Sequence, residues 1–159
     1  MNSDRSGTAG GPTGSTVTRH ARAVVALVAR VGLGVVFVAH GWQKLVTDGI
    51  PATAKGFTAM GVPAPTLSAW YAGLIELAGG IALIVGLALP VVGVLLFLDM
   101  AGAFVFVHVT HGVFAGQGGF ELVLALGVAS LYVGFAGGPL ALDSLVSRFR
   151  RRTPAPVTG

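Results

Sequence analysis

Seven ionisable residues interrupt otherwise apolar stretches of this chain: Arg30, His40, Lys44, Glu76, Asp99, His108 and Glu121. At hydrocarbon depth each such group costs at least ~2.5–3.5 kcal/mol on insertion scales, so they are expected to turn inward and find partners. His40 and Lys44 lie one helical turn apart and can share a face. With Glu76, His108 and Glu121 they make a candidate polar pocket. The cations and imidazoles would supply positive or donor groups to a small polar ligand, and Glu76 or Glu121 would take protons.

The elements that must position these residues are apolar. Of the 159 residues 53% are apolar and only 10% are charged, against ~25% in a soluble domain. The mean hydropathy of +0.82 agrees. Four apolar segments succeed one another, at about Ala23–Leu45, Leu67–Leu89, Val91–Thr110 and Phe120–Gly137. Each approaches the ~20 residues that a helix needs to cross a ~30 Å hydrocarbon core. The fold expected is an all-α, integral membrane four-helix bundle over residues 19–146. A Gly/Ser/Thr-rich disordered tail is expected at 1–18 and a basic one at 147–159. Arg30 inside the first apolar run and the lack of a small-x-small site argue for an uncleaved helix rather than a signal peptide. Pro90 requires a tight turn between the second and third helices. Between the first and second, Pro51 suits a first helical turn and Gly61 a last one. Ile50, Ala54, Phe57 and Met60 then share a face, so this stretch is either a short interfacial helix or a loop.

Basic residues gather at the two ends of the chain, Arg19 and Arg22 before the first helix and Arg148, Arg150, Arg151 and Arg152 after the last. That distribution points to a lipid surface rather than nucleic acid and places both termini in the cytoplasm. The polar cluster then faces outward. Counting residues along the helices sets depth. Arg30 is eight residues past Arg22 and Asp99 eight past Val91, each roughly 12 Å in from the same side. They are a candidate buried ion pair, serving either packing or proton and substrate handling. Glu76 sits roughly 14 Å in from the other side, with no basic residue at its depth by this count. It would be an acid bonding a backbone carbonyl or a proton acceptor beside a quinol. Gly73 and Gly80 share its face, and with Gly41 and Gly119 they are the candidate helix-packing glycines. Each polar residue also has an ordinary role: Lys44 snorkelling to headgroups, Trp42 in the interfacial aromatic belt, Glu121 favoured by the helix macrodipole.

Other chemistries fit poorly. The chain has no cysteine, which removes disulfides, thiolate catalysis and cysteine-bound iron–sulfur or zinc sites. His40 and His108 alone are thin grounds for a bis-histidine haem, and His108 with His111 has no carboxylate at ligand spacing, so no metal is expected. "GVFAGQGG" lacks the Lys-Ser/Thr of a phosphate loop.

The stretches "RVGLGVVFVAHGWQKL", "ELAGGIALIVGLALP", "HVTHGVFAGQGGFELVLAL" and "GGPLALDSL", in this order, closely resemble the DoxX family of small bacterial membrane proteins. The resemblance covers roughly residues 24–146. Its sharpest parts are the His-Gly-x-x-Lys ending of helix one and the Gly-Gly-Phe-Glu opening of helix four. It implies a four-helix protein of the bacterial cytoplasmic (inner) membrane and draws attention to Arg30, His40, Gly41, Lys44, Glu76, His108, Gly119 and Glu121. The wider family includes the membrane subunit of a thiosulfate:quinone oxidoreductase and a mycobacterial membrane partner of superoxide dismutase and a sulfurtransferase. The expected function is therefore a membrane subunit of a redox or thiol-stress system. Such a subunit would have no built-in cofactor, with a bound quinone as the candidate ligand and soluble redox enzymes or a second copy as candidate partners. The alternatives are a non-enzymatic scaffold for soluble redox enzymes, docking through "RFRRR" or the loops, and a small-solute or proton transporter. The lack of a broken helix or visible repeat disfavours the transporter.

Overall fold

A computed structural model of the chain describes residues 13–136 and 141, with side chains from residue 16. Among them every regular element is a helix. α1 spans Thr13–Trp42 and runs on through a wide π turn at Gln43–Thr47; α2 spans Gly49–Ala59 and α3 Pro65–Val85. α4 spans Leu89–Ala103 and ends in a second π turn at Phe104–His108, and α5 spans Glu121–Ala136. Three of these helices are long and apolar enough to cross a membrane, and α5 adds a shorter apolar helix of 16 described residues. The all-helical bundle expected from the sequence is the fold observed.

Two boundaries differ from the sequence expectation. α1 begins at Thr13, within the stretch expected to be a tail, and at 30 residues it is about 45 Å long, well over one hydrocarbon thickness. The remainder of that tail and the basic C-terminal segment lie outside the described residues. The stretch after α1 is helical: α2 closes with Gly61 in a left-handed conformation (φ 74°) and Val62 N–H bonded to the Phe57 carbonyl.

The helices associate as two glycine-sealed pairs. Between antiparallel α1 and α3, Gly34 faces Gly80 and Gly41 faces Gly73, so that backbones meet without side chains between them. A methyl on Gly41 would sit 2.8 Å from the Gly73 carbonyl oxygen, and one on Gly80 2.7 Å from that of Gly34. Small residues permit this approach, which matters where lipid gives helices no hydrophobic reason to associate. Between α4 and α5, Gly93 lies against Ser130 and Gly134 in the same manner. The pairs join where Leu96 packs on Gly79, and Phe37, Leu83 and Leu96 fill the core between them. The α3–α4 turn is tight: Gly86 (φ 81°) caps α3, Ala88 (φ 47°) precedes α4, and Pro90 occupies α4's first turn. Large apolar side chains such as Leu74, Ile81, Leu98, Val128 and Phe135 are exposed around the outside, the inverse of a soluble bundle.

Candidate functional site

At the end of the bundle away from the α3–α4 turn the two pairs diverge around a cavity of about 510 Å³, within the range of small-molecule sites. Its walls come from α1 (Phe37, His40, Lys44), α3 (Ser68, Tyr71, Ala72, Glu76), α4 with its π turn (Leu98 to His108) and α5 (Leu122, Val123, Leu126). Phe57, Met60, Val62 and Pro63, from α2 and the loop after it, cover the end. Ala115 and Gly119 from the α4–α5 connection complete it. Two residues of the α2 face proposed for the membrane interface, Phe57 and Met60, thus also cover a cavity.

Both π turns lie at this cavity, and each carries one of its polar residues. A π segment adds one residue to a turn and shifts the register of the residues beyond it. In the first, Lys44 Nζ donates to Glu76 Oε2 at 2.5 Å, and the Thr53 hydroxyl of α2 lies 3.0 Å from the Lys44 carbonyl. Lys44 is thus turned in toward α3, its side chain 22% exposed and that of Glu76 only 4%. Glu76 therefore has a cation, contrary to the depth count along the helices. The lysine's long stem reaches down from a turn nearer the bundle end, and counting Cα positions misses that reach. In the second π turn, His108 Nδ1 lies 2.6 Å from the Gly118 carbonyl oxygen. A carbonyl only accepts, so Nδ1 is the donor, and in a neutral ring Nε2 remains an acceptor.

Asp99 belongs to this site and not to Arg30. Gly79 packs on Leu96, so three residues further along each antiparallel helix Glu76 and Asp99 fall level with each other. Asp99 interacts electrostatically with both Glu76 and Lys44, lines the cavity, and is 8% exposed. Its Oδ2 is fully buried and makes no hydrogen bond among the described residues. Arg30 is 1% exposed at the opposite end, where its guanidinium abuts Gly86 in the α3–α4 turn. Eleven residues, or roughly 16 Å of helix, separate it from Gly41, which lies near the Glu76 level. No ion pair joins it to Asp99 among the described residues. Taking Arg22 as the start of the span caused the discrepancy, because α1 projects well past the turn that begins α4.

Of the five residues proposed for the pocket, four line it: His40, Lys44, Glu76 and His108. Glu121 does not. Its Oε1 accepts the Ala115 N–H at 2.7 Å at the exposed start of α5, where the carboxylate fixes the preceding loop. Gly41, Gly73 and Gly80 sit on the α1–α3 seam. Gly119 packs instead inside the α4–α5 connection, where a methyl would meet the Gly112 carbonyl oxygen and the Phe114 nitrogen at 2.6 Å. Tyr71 is a wall residue that the sequence reading did not single out; its spacing of three from Ser68, on the face that carries Ala72 and, one turn further, Glu76, is the signal that was available.

The DoxX family model matches residues 25–109. A Bacillus subtilis protein named "Putative oxidoreductase CatD" is 33% identical over 126 residues, covering 79% of this chain and 89% of that protein. An uncharacterised Haemophilus influenzae protein is 35% identical over 124 residues, covering 72% of this chain and 85% of its own. No solved structure matches the chain.

Proposed function

The chain belongs to the DoxX family, and from that premise we propose that it is the membrane subunit of a redox system whose cavity holds a quinone headgroup. The observation that carries this is the Lys44–Glu76–Asp99 cluster set into the wall of an otherwise apolar cavity of about 510 Å³. A quinone ring is apolar on its faces and accepts hydrogen bonds at two opposed carbonyls. Lys44, His40 and Tyr71 are donors along one side of the cavity, and His108 lies on another. Reducing a quinone to the quinol consumes two electrons and two protons. The carboxyls of Glu76 and Asp99 are placed to pass protons to the ring oxygens. The cysteine-free chain takes the electrons from a soluble donor protein, in keeping with the oxidoreductase name of the Bacillus relative.

Thiosulfate or another small anion suits this cavity less well. The cluster brings two carboxyls to one ammonium, and Lys44 already spends its charge on Glu76. Arg19 and Arg22 in the first turns of α1, with Arg148, Arg150, Arg151 and Arg152 near the other end of the chain, support a bacterial cytoplasmic-membrane setting with both termini inside and the cavity in the outer half.

Two measurements test the proposal. Lipid extracted from the protein purified in mild detergent should contain quinone in near-stoichiometric amount. Quinone reduction by membranes containing Glu76→Gln or Lys44→Ala should fall at least about tenfold at equal expression, the size expected for losing one acid–base group or donor. Unchanged turnover in both variants would overturn the catalytic reading and leave the scaffold as the better account.

A further inference from the structure

The way into the cavity says what kind of molecule uses it. The end of the bundle is roofed by Phe57, Met60, Val62 and Pro63, the α1–α3 seam is closed by Gly41 against Gly73 and Leu77, and between α4 and α5 Met100 packs on Gly127. Between α3 and α4, Leu96 packs on Gly79 and Asp99 meets Glu76 one turn nearer the roof; beyond them residues of both helices line the cavity. Leu98 and Gly102 lie one turn apart on α4 and Phe106 follows in the π turn, with Ser68 and Tyr71 opposite on α3, and all five line the cavity. Yet Leu98 is 53% exposed, Phe106 46% and Tyr71 42%, so the same side chains border both the cavity and the outer surface of the bundle. A methyl on Gly102 would touch nothing within 4 Å. This slot starts at Leu98, ten residues into a candidate span of 23, and therefore opens at hydrocarbon depth.

We infer that the slot between α3 and α4 is a lateral portal, and that the cavity takes a tailed, lipid-soluble molecule directly from the bilayer. Its carbonyl-bearing head lies at the Lys44–Glu76–Asp99 cluster and its chain lies along Leu98, Gly102 and Phe106. The α4 side of the slot, Leu98 and Gly102 with Phe106 beyond them, is apolar and lies at the depth of the lipid chains, so a chain passing along it stays out of water. At the inner end, Asp99 is more than nine-tenths buried, lines the cavity, and has its buried Oδ2 unbonded among the described residues. Such an atom calls for a partner: a quinol hydroxyl donates to the carboxylate, and the protonated carboxyl donates to a quinone carbonyl. The inference rests on the quinone reading and adds the ligand's tail and its route.

The test uses the whole protein in lipid nanodiscs, with empty discs to correct for partitioning, and two probes. One is a dimethoxy-methyl benzoquinone bearing a decyl chain; the other is the same ring without the chain. After that correction the wild type should bind the tailed probe at least as tightly as the tail-less ring, because the chain leaves lipid for an apolar slot at no hydrophobic cost. Gly102→Phe, which fills the slot, should weaken the tailed probe by about tenfold or more relative to the ring, because the chain then has no path out to lipid. Gly32→Phe, on α1 where a side chain also meets nothing, should leave the ratio of the two affinities unchanged. Gly102→Leu serves in the same role if the phenylalanine variant does not elute as a folded protein. A ratio that stays unchanged in the folded slot variant overturns the portal but leaves the head site standing. Failure of the wild type to bind either ring, or binding indifferent to Glu76→Gln, overturns the quinone reading and the portal with it.

Discussion

Removing Lys44 should cost far more than removing an ordinary membrane lysine. Glu76 is buried with its side chain 4% exposed, its ion-pair partner is the Lys44 ammonium at 2.5 Å, and Asp99 stands beside it. Lys44→Met keeps the stem's volume and leaves two buried carboxyls with no cation. Breaking a buried pair from one side typically costs ~3–5 kcal/mol. Glu76→Gln should cost less, about 1–2 kcal/mol, because Lys44 keeps 22% of its side chain exposed and can swing back toward water or headgroups. Replacing both at once, as Lys44→Met with Glu76→Gln, removes the buried Glu76 charge together with its partner and should recover much of the loss. The coupling in this double-mutant cycle should therefore be at least ~2 kcal/mol. Equilibrium unfolding of the four proteins in mixed detergent–SDS micelles, monitored by far-UV circular dichroism, measures it. Additive losses, or a Lys44→Met cost under about 1 kcal/mol, would show that the pair is a solvated contact and that the cluster is not dry.

Further predictions concern the glycines and the α5 start. Gly41→Ala should destabilise by about 1–3 kcal/mol, because its methyl has only the Gly73 carbonyl and Leu77 backbone to push against. Gly32→Ala, with nothing within 4 Å, should be neutral or stabilising by up to ~1 kcal/mol; the same unfolding assay compares them. Gly86→Ala should lose at least ~2 kcal/mol, since it combines a left-handed φ of 81° with a clash against the buried Arg30 guanidinium and Ala141. Glu121→Ala should speed amide exchange through residues 112–121, where the Glu121 carboxylate holds the Ala115 N–H, while changing quinone affinity less than about twofold. A tenfold loss of quinone binding there would return Glu121 to the pocket.

Composition and helical period were enough to specify a bundle of apolar helices, the tight turn at Pro90, Gly73 and Gly80 as a helix-packing face, and the gathering of His40, Lys44, Glu76 and His108 at one end. These are legible in the sequence because each depends on local chemistry: apolar length, a missing N–H, a missing Cβ, or residues a turn apart. The pairing of charges was not. Depth counted from Arg22 joined Arg30 to Asp99, whereas the register fixed by Gly79 against Leu96 puts Asp99 beside Glu76 and leaves Arg30 at the far turn. Register between helices is a property of their packed surfaces, and no single helix carries it. Side-chain reach was equally invisible: Lys44 crosses to Glu76 along its stem, while Glu121, at the correct level, turns to a backbone amide instead. The roof over the cavity and the slot beside it exist only once α2 folds onto α3 and the two helix pairs diverge. Cavities are what packing leaves unfilled, so they belong to the tertiary structure alone.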